Sequence, residues 1–293
     1  MPTPPPFDLD LLRTLVTIVD CGGFTRAAER LGRTQSTISL QIKRLEDGLG
    51  KRVFEREGRG FALTPEGEIL LAYSRRMLMM ADEACARLME PDVDGRVRLG
   101  TPEDFASVHL PDVLWRFARA HPRVALEVNC DFTVNLLDGF SKGEYDLVLC
   151  KREPQGGGGG IKVWREPLVW AASDRLVLDP LEPIPLVLAP YPDIYRKRAV
   201  DALDGCGRAW RVAYTSPSVA GIQAAVRAGL GTTILPKEMV GAGFHIVGAE
   251  FGLPDLADTE IALYRAPGPL PKAAERLAEH IVRSLESERA GGG

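Results

Sequence analysis

Three short helical patterns broken by glycine occupy residues 7–61, and they constrain this end of the chain more than any other feature does. The first pattern stops at Gly22-Gly23 and the second stops at Gly32. In the third pattern apolar residues recur at helical spacing, namely Ile38, Ile42, Leu45 and Leu49. The opposite face of that pattern is polar, and it is expected to show Gln35, Ser36, Ser39, Gln41 and Lys43. A helix, a tight turn with glycine and a second helix with a polar outer face make the layout of a helix-turn-helix.

A short hairpin pattern follows, with strands at 53–56 and 61–63 around a turn at 58–60. Between Gly23 and Gly60 the chain has nine Lys and Arg against five Asp and Glu, a local charge of +4. The whole chain of 293 residues has a net charge of −4. A basic segment in an acidic chain indicates a local nucleic-acid site. The alternative is a solvated basic surface without a partner.

One long helical pattern covers residues 64–89. Thr64 followed by Pro65 is typical of an N-cap and a first helical position. Apolar residues then alternate at spacings of three and four, as in a heptad seam, and we expect them to form a dimer interface: Leu70, Tyr73, Met77, Met80 and Ala84. The alternative is that this stripe packs against its own domain.

From Val97 onward strand patterns alternate with helical patterns, which predicts a mostly parallel sheet. The predicted strands are 97–101, 124–130, 146–150, 186–188, 212–214 and 232–235, and the predicted helices are 105–120, 134–142, 218–228 and 271–287. Ligands bind beyond the carboxyl ends of such strands, at the N-termini of helices. Two segments fit that position, 101–102 and 215–218.

Several function classes lack support in the sequence. There is no Gly-x-Ser-x-Gly, no phosphate-binding glycine motif and no metal spacing among the four histidines, so we expect no enzyme activity, no metal and no cofactor. A transport-type solute-binding protein would need a signal peptide and would lack the helix-turn-helix. Without a signal peptide or a membrane span, we expect a cytoplasmic protein.

The five cysteines are scattered, with no Cys-x-x-Cys pair. In a reducing compartment they are expected to be buried small hydrophobes. The alternative is that one of them is a redox-sensitive thiol and that oxidation replaces the small ligand as the signal.

The N-terminal motifs resemble those of the LysR-type transcriptional regulators. The resemblance covers almost the whole chain and is strongest in segments 24–31, 34–39, 41–46, 49–56 and 63–67. Ser36 stands where many members have Pro, and Leu40 stands where many have Arg. The segment 100–105, Gly-Thr-Pro-Glu-Asp-Phe, resembles the branch that controls motility and virulence genes.

The resemblance implies an α+β chain with three parts. A winged helix-turn-helix DNA-binding domain spans 1–63, a linker and dimerisation helix spans 64–90, and an effector-binding domain spans 91–293. The last is an α/β domain of the type II periplasmic-binding-protein kind, with subdomain I at 97–166 and 259–287 and subdomain II at 167–258. Such a protein regulates transcription as a homodimer or homotetramer on a double-stranded operator of dyad symmetry, under control of a small-molecule effector.

The expected site residues follow from the motifs and the resemblance together. DNA contacts are expected from Arg33, Thr34, Gln35, Ser36, Thr37, Ser39, Lys43, Arg44, Arg56 and Arg59. Effector contacts are expected from Thr101, Pro102, Arg152, Thr215, Ser216 and Ser218. Glu103 and Asp104 would repel a carboxylate if they faced the effector. Either they point to solvent, or the effector is not a simple organic anion.

Overall fold

The computed structural model describes residues 7–57, 60–89, 93–154, 159–179 and 181–289. This part of the chain forms two compact units. The first contains the described residues up to Asp94, together with 115–123 and the described residues from His280 onward. The second contains 95–114 and the described residues between Val124 and Glu279.

The first unit begins with the predicted helices and hairpin. Its elements are α1 (Leu9–Asp20), α2 (Phe24–Arg30), α3 (Gln35–Leu49), β1 (Phe54–Glu57), β2 (Gly60–Leu63) and α4 (Pro65–Met89). Thr34 caps α3, because its hydroxyl accepts the N–H of Thr37 at 3.2 Å. The helix ends at Gly50, whose φ of +63° favours glycine.

A continuous apolar core joins the three helices of the helix-turn-helix to the hairpin. Its fully buried members include Leu12, Leu15, Ile18, Ala27 and Ile38. The hairpin is attached through three aromatic rings that meet edge to face, with centroids 5.1–5.4 Å apart: Phe24, Phe54 and Phe61. The orientation of the hairpin is therefore fixed by α2 and α3.

The long helix α4 lies against α1, and this corrects the predicted seam. Ion pairs join Arg13 to Asp82 at 3.3 Å and Arg75 to Asp20 at 2.6 Å. Leu70 is buried in the core of the first unit, so its side chain is not free for a second chain, and the partly buried Met77 packs against the same core. The heptad pattern predicted the helix correctly, but the placement of Leu70 in an interface between chains was wrong.

The apolar side chains that α4 does expose form a different stripe. It consists of Ile69, Tyr73, Met80, Ala84 and Leu88. Tyr73, Met80 and Ala84 belong to the predicted seam, whereas Ile69 and Leu88 do not.

The second unit contains a five-stranded sheet in the order β4-β3-β5-β12-β6. Its strands are β3 (Gly95–Thr101), β4 (Val124–Cys130), β5 (Leu147–Arg152), β6 (Ile161–Glu166) and β12 (Thr259–Arg265). The first three are parallel, and β12 returns antiparallel to both β5 and β6. The chain thus leaves this sheet after β6 and returns to it at β12, as the resemblance implies.

Four helices lie between or after these strands in the chain: α5 (Glu103–Val108), α6 (Leu110–Ala120), α7 (Thr133–Ser141) and α10 (Lys272–Arg289). The parts of α6 from Trp115 and of α10 from His280 belong to the first unit. The single helix predicted at 105–120 is wrong, because the chain breaks at His109. Pro111 has no N–H to continue a helix, and its ring clashes with the carbonyl four residues earlier.

The remaining strands form two smaller sheets joined by a bridge between Leu186 and Thr232. Their elements are β7 (Leu168–Ala172), β8 (Ile184–Leu188), α8 (Ile194–Cys206), β9 (Trp210–Thr215), α9 (Val219–Arg227), β10 (Thr233–Pro236) and β11 (His245–Val247). The sequence analysis missed α8, although Asp193 caps its start and Gly207 its end.

Candidate DNA-binding face and effector cavity

The outer face of α3 is polar and exposed, as predicted. Gln35, Ser36 and Ser39 are exposed on it, next to the half-exposed Leu40. The remaining predicted residues of this region are also exposed: Arg33, Thr34, Thr37, Lys43 and Arg44. The Thr34 hydroxyl is 2.9 Å from that of Ser36 and 2.8 Å from that of Thr37, so these hydroxyls form one cluster at the start of the helix.

Two polar residues of α3 do not take part in this face. Gln41 is buried, and its side-chain carbonyl accepts the hydroxyl of Thr14 at 3.0 Å. Glu46 is also buried and accepts the N–H of Val53 at 2.8 Å, which ties the helix to the hairpin. The placement of Gln41 on the outer face by sequence was therefore wrong.

The hairpin exposes Arg56. Arg59, the other arginine predicted to contact DNA there, lies outside the described residues. Among the described residues, Arg56 is thus the exposed arginine of strand β1.

A cavity of about 310 Å³ lies in the second unit, next to the ends of β3, β4, β5 and β8. Its polar lining consists of Glu103, Asp104, Asp131, Thr133, Lys151, Asp193, Tyr195 and Thr233. Its apolar lining includes Phe132, Leu188, Ile222, Leu235 and Met239. The position agrees with the rule that ligands bind beyond the carboxyl ends of strands.

Of the six predicted effector residues, Pro102 lines this cavity. Thr101 is fully buried, and its hydroxyl lies 3.4 Å from the carbonyl of Pro102. Ser218 caps α9 by accepting the N–H of Gly221, and the Ser216 hydroxyl accepts the N–H of Ser218. Thr215, at the end of β9, is absent from the lining. The two serines and Thr101 therefore serve local structure.

Arg152 does not line the cavity, and its neighbour Lys151 lies there instead, so the positive charge expected from Arg152 comes from Lys151. Successive side chains of a strand face opposite sides of the sheet, so only one of the two can reach the cavity. Arg152 instead meets Glu260 at 3.4 Å and the carbonyl of Gly159 at 2.6 Å.

Lys151 is the centre of a buried polar network that crosses the cavity. Its Nζ lies 2.6 Å from Asp104 Oδ2 and 3.6 Å from the centre of the Tyr195 ring. The Tyr195 hydroxyl donates to Glu166 Oε2 at 2.8 Å. Since Lys151 belongs to β5 and Tyr195 to α8, the network links the five-stranded sheet to the elements that follow β7.

Burial sets the ionisation of several groups in this network. It raises the pKa of Glu166 to about 7, with nearby Asp104 adding to the rise. It also raises the pKa of Asp193 and, to well above 10, that of Tyr195. Burial in a low-dielectric environment therefore disfavours the charged forms of these groups, and most clearly that of Glu166.

Glu103 also crosses the cavity. Its Oε2 accepts the backbone N–H of Val219, the first residue of α9, at 3.2 Å. Glu103 and Asp104 therefore line the cavity and do not point to solvent, the first of the two alternatives. Asp131, Asp193 and Tyr195 were missed by the sequence analysis, although Asp131 and Asp193 each follow a strand and precede a helix.

The cysteines divide between the core and the surface. Cys21 and Cys150 are buried as expected, whereas Cys85, Cys130 and Cys206 are exposed. Burial raises the pKa of Cys150 to about 12 and also raises that of Cys130, which borders the cavity. Both thiols are therefore held in the less nucleophilic, protonated form.

Within the described residues no cluster of His, Cys, Asp and Glu could hold a metal ion. The same residues contain no helix with the length and apolar character that crossing a membrane requires.

Comparison with known proteins gives matches to both the N-terminal and the C-terminal part of the chain. Residues 9–68 match the family model of bacterial regulatory helix-turn-helix proteins of the lysR family, and residues 91–286 match that of the LysR substrate binding domain. The chain is 39% identical over 277 residues to the HTH-type transcriptional regulator DgdR of Burkholderia cepacia, covering 94% of this chain and 93% of that protein. It is 36% identical to PecT of Dickeya dadantii, covering 89% and 82% of the two chains.

Solved structures support the fold. HinK, a LysR family transcriptional regulator from Pseudomonas aeruginosa, superposes with a TM-score of 0.53 at 22% identity, covering 96% of this chain and 99% of that one. Since the substrate-binding model alone matches more than half of the sequence, the chain belongs to the LysR family of transcriptional regulators, which bind DNA through a helix-turn-helix under the control of a small-molecule effector.

Proposed function

We propose that this regulator reads a double-stranded operator through the outer face of α3 and contacts phosphates through Arg56 and the basic residues around α3. The exposed cluster at the start of α3 supports this. Gln35 can pair bidentately with adenine, and a good pair of this kind discriminates between bases by ~1–3 kcal/mol. Regulation follows from binding, and the chain catalyses no reaction in this proposal.

The active species in this proposal is a homodimer or homotetramer in the cytoplasm, on an operator with dyad symmetry. The exposed stripe of α4 supports it, since Tyr73 and Met80 are each more than half exposed. A two-fold contact along that stripe would relate two DNA-binding domains by the symmetry of the operator. We divide the chain accordingly into a DNA-binding domain at 1–63, a linker helix at 64–90 and an effector domain at 91–293.

The effector in this proposal binds in the cavity bordered by Lys151, Asp193 and Tyr195. The single observation that carries it is the polar network across the cavity, because a ligand there would contact elements of both the five-stranded sheet and the smaller sheets. Such a ligand shifts the population of two arrangements by its differential affinity for them. The coupling to DNA binding is typically ~1–3 kcal/mol.

Two variants test the DNA-binding and effector parts separately. Gln35→Ala should lose preference among operator variants and keep the fold, while Gln223→Ala on α9 serves as a control that keeps the preference. Ile222→Trp should fill part of the cavity, so that the promoter no longer responds to growth conditions while the operator is still bound. An unchanged promoter response in Ile222→Trp would remove the cavity from the proposal.

A further inference from the structure

We infer that the effector is an organic cation, a protonated amine carried on a compact apolar body. Because the cavity is the effector site only under the proposed function, this ligand class rests on that function.

The charges that line the cavity are predominantly negative. Four carboxylates and one lysine border it, and the lysine is already paired with Asp104. The other three, Glu103, Asp131 and Asp193, have no ion-pair partner among the described residues. A ligand carboxylate would therefore enter a site with uncompensated negative charge, whereas an ammonium group would neutralise part of it.

Backbone amides that usually hold an anion are occupied at two of the three helices of nine residues or more that begin at the cavity. In α8 and α9 a carboxylate of this chain accepts an N–H of the first turn, whereas before α7 it accepts the N–H of the N-cap residue. Asp131 accepts from Phe132 before α7 at 2.7 Å, and Asp193 accepts from Arg196 in α8 at 2.7 Å. Glu103 reaches α9 from α5. The protein's own carboxylates thus stand where those of an anionic effector would bind.

Asp193 gives the clearest indication of where the ammonium group binds. Asp193 is 9% exposed and borders the cavity, and no ion pair within 4 Å includes it among the described residues, although the more distant Lys151 lowers its pKa somewhat. Buried charges in proteins are normally paired. Burial raises the pKa of Asp193, and a bound cation would offset that cost.

The rest of the lining fixes the body of the ligand. Side chains such as Phe132, Leu188 and Ile222 surround the carboxylates with apolar surface. A volume of about 310 Å³ is at the lower end for small-molecule sites, which span roughly 300–1,000 Å³. A compact hydrocarbon with one ammonium group fits both the surface and the volume.

Three probes of one shape and different charge test this in the full-length protein: cyclohexylamine, cyclohexanecarboxylate and cyclohexanol, each up to tens of millimolar at pH 7.5 and constant ionic strength. A ligand that binds the folded state raises Tm with concentration. We expect cyclohexylamine to bind at least tenfold more tightly than cyclohexanecarboxylate. Equal or tighter binding of the carboxylate would overturn the cation assignment and leave the proposed effector site standing. No stabilisation by any probe would contradict both.

A matched pair of variants locates the charge. Asp193→Asn keeps an N-cap acceptor for α8 and removes the negative charge, so the affinity for cyclohexylamine should fall at least tenfold while that for cyclohexanol is unchanged. Asp201→Asn, on the exposed side of the same helix next to Lys197, should leave both affinities as they are. Equal affinities for the amine in the Asp193→Asn variant and the parent would overturn the proposal.

Discussion

Replacing Lys151 by Met should destabilise the effector domain strongly, because the ion pair with Asp104 is almost completely buried. The two side chains are 8% and 6% exposed, and their charged atoms are 2.6 Å apart. Removing one partner of a buried pair leaves an uncompensated charge and costs about 3–5 kcal/mol. Met keeps the length of the side chain and its packing on Tyr195, so the loss reports mainly the charge.

A double-mutant cycle separates the pair from other effects of substitution. Asp104→Asn alone should also destabilise, since it leaves Lys151 buried without a countercharge. The double variant should be less destabilised than the sum of the single variants by about 2 kcal/mol or more, within the range found for residues in contact. Additive losses in the double variant would refute the claim that the two charges depend on each other.

Tryptophan fluorescence during urea unfolding is a suitable assay for this cycle. All four tryptophans lie at or beyond residue 115, namely Trp115, Trp164, Trp170 and Trp210. Trp115 lies in the first unit and the other three lie in the second, so the free energy of unfolding that the signal yields belongs mainly to the second unit, which contains Lys151 and Asp104.

Three further predictions concern pH, salt and assembly. The pKa of Glu166 is raised from 4.5 to about 7, so its contribution to stability is present below pH 4.5 and is lost as the pH rises through 7. In urea unfolding, Glu166→Gln should therefore be more stable than the parent by roughly 3 kcal/mol at pH 8.5. At pH 4.5 the two proteins should be nearly equal in stability. Arg56→Ala should weaken binding to all DNA sequences and reduce the slope of log K against log salt by about 1, and an unchanged slope would show that Arg56 makes no phosphate contact. Met80→Lys should dissociate the oligomer in sedimentation without unfolding the chain, whereas Leu70→Lys should unfold the DNA-binding domain; an intact oligomer for Met80→Lys would argue against the α4 stripe.

Local patterns predicted most of the elements and the caps at Thr34 and Thr64, whereas Thr25, expected as an N-cap, lies inside α2, whose N-cap is Gly23. The caps at Thr34 and Thr64 follow from one polar residue placed before a helix, and their hydroxyls accept the N–H groups of Thr37 and Gly67 in the structure. In each of these interactions the two partners are three residues apart, so a short stretch of sequence contains both of them. The break at His109 also has a local cause in the sequence, because Pro111 lies two residues after it.

The predictions that failed concern contacts between residues that are distant in the sequence. Leu70 has the spacing of a seam residue, but a spacing does not show whether the partner is the same chain or another. Gln41 was placed outside because its partner, Thr14, is 27 positions away. The carboxylates at 103, 131 and 193 meet at one cavity only after three separate strands have been brought together. Helix α8 was missed because its apolar residues are few and unevenly spaced.

Selection of binding sites from a pool of random double-stranded DNA tests the central claim most directly. The full-length protein should enrich one motif made of two related half-sites with dyad symmetry, their centres about one helical turn apart or a multiple of it, and Gln35→Ala should lose the base preference within each half-site. Enrichment of no motif, or of the same motif by the parent and by Gln35→Ala, would contradict the assignment of the outer face of α3 as the surface that reads DNA.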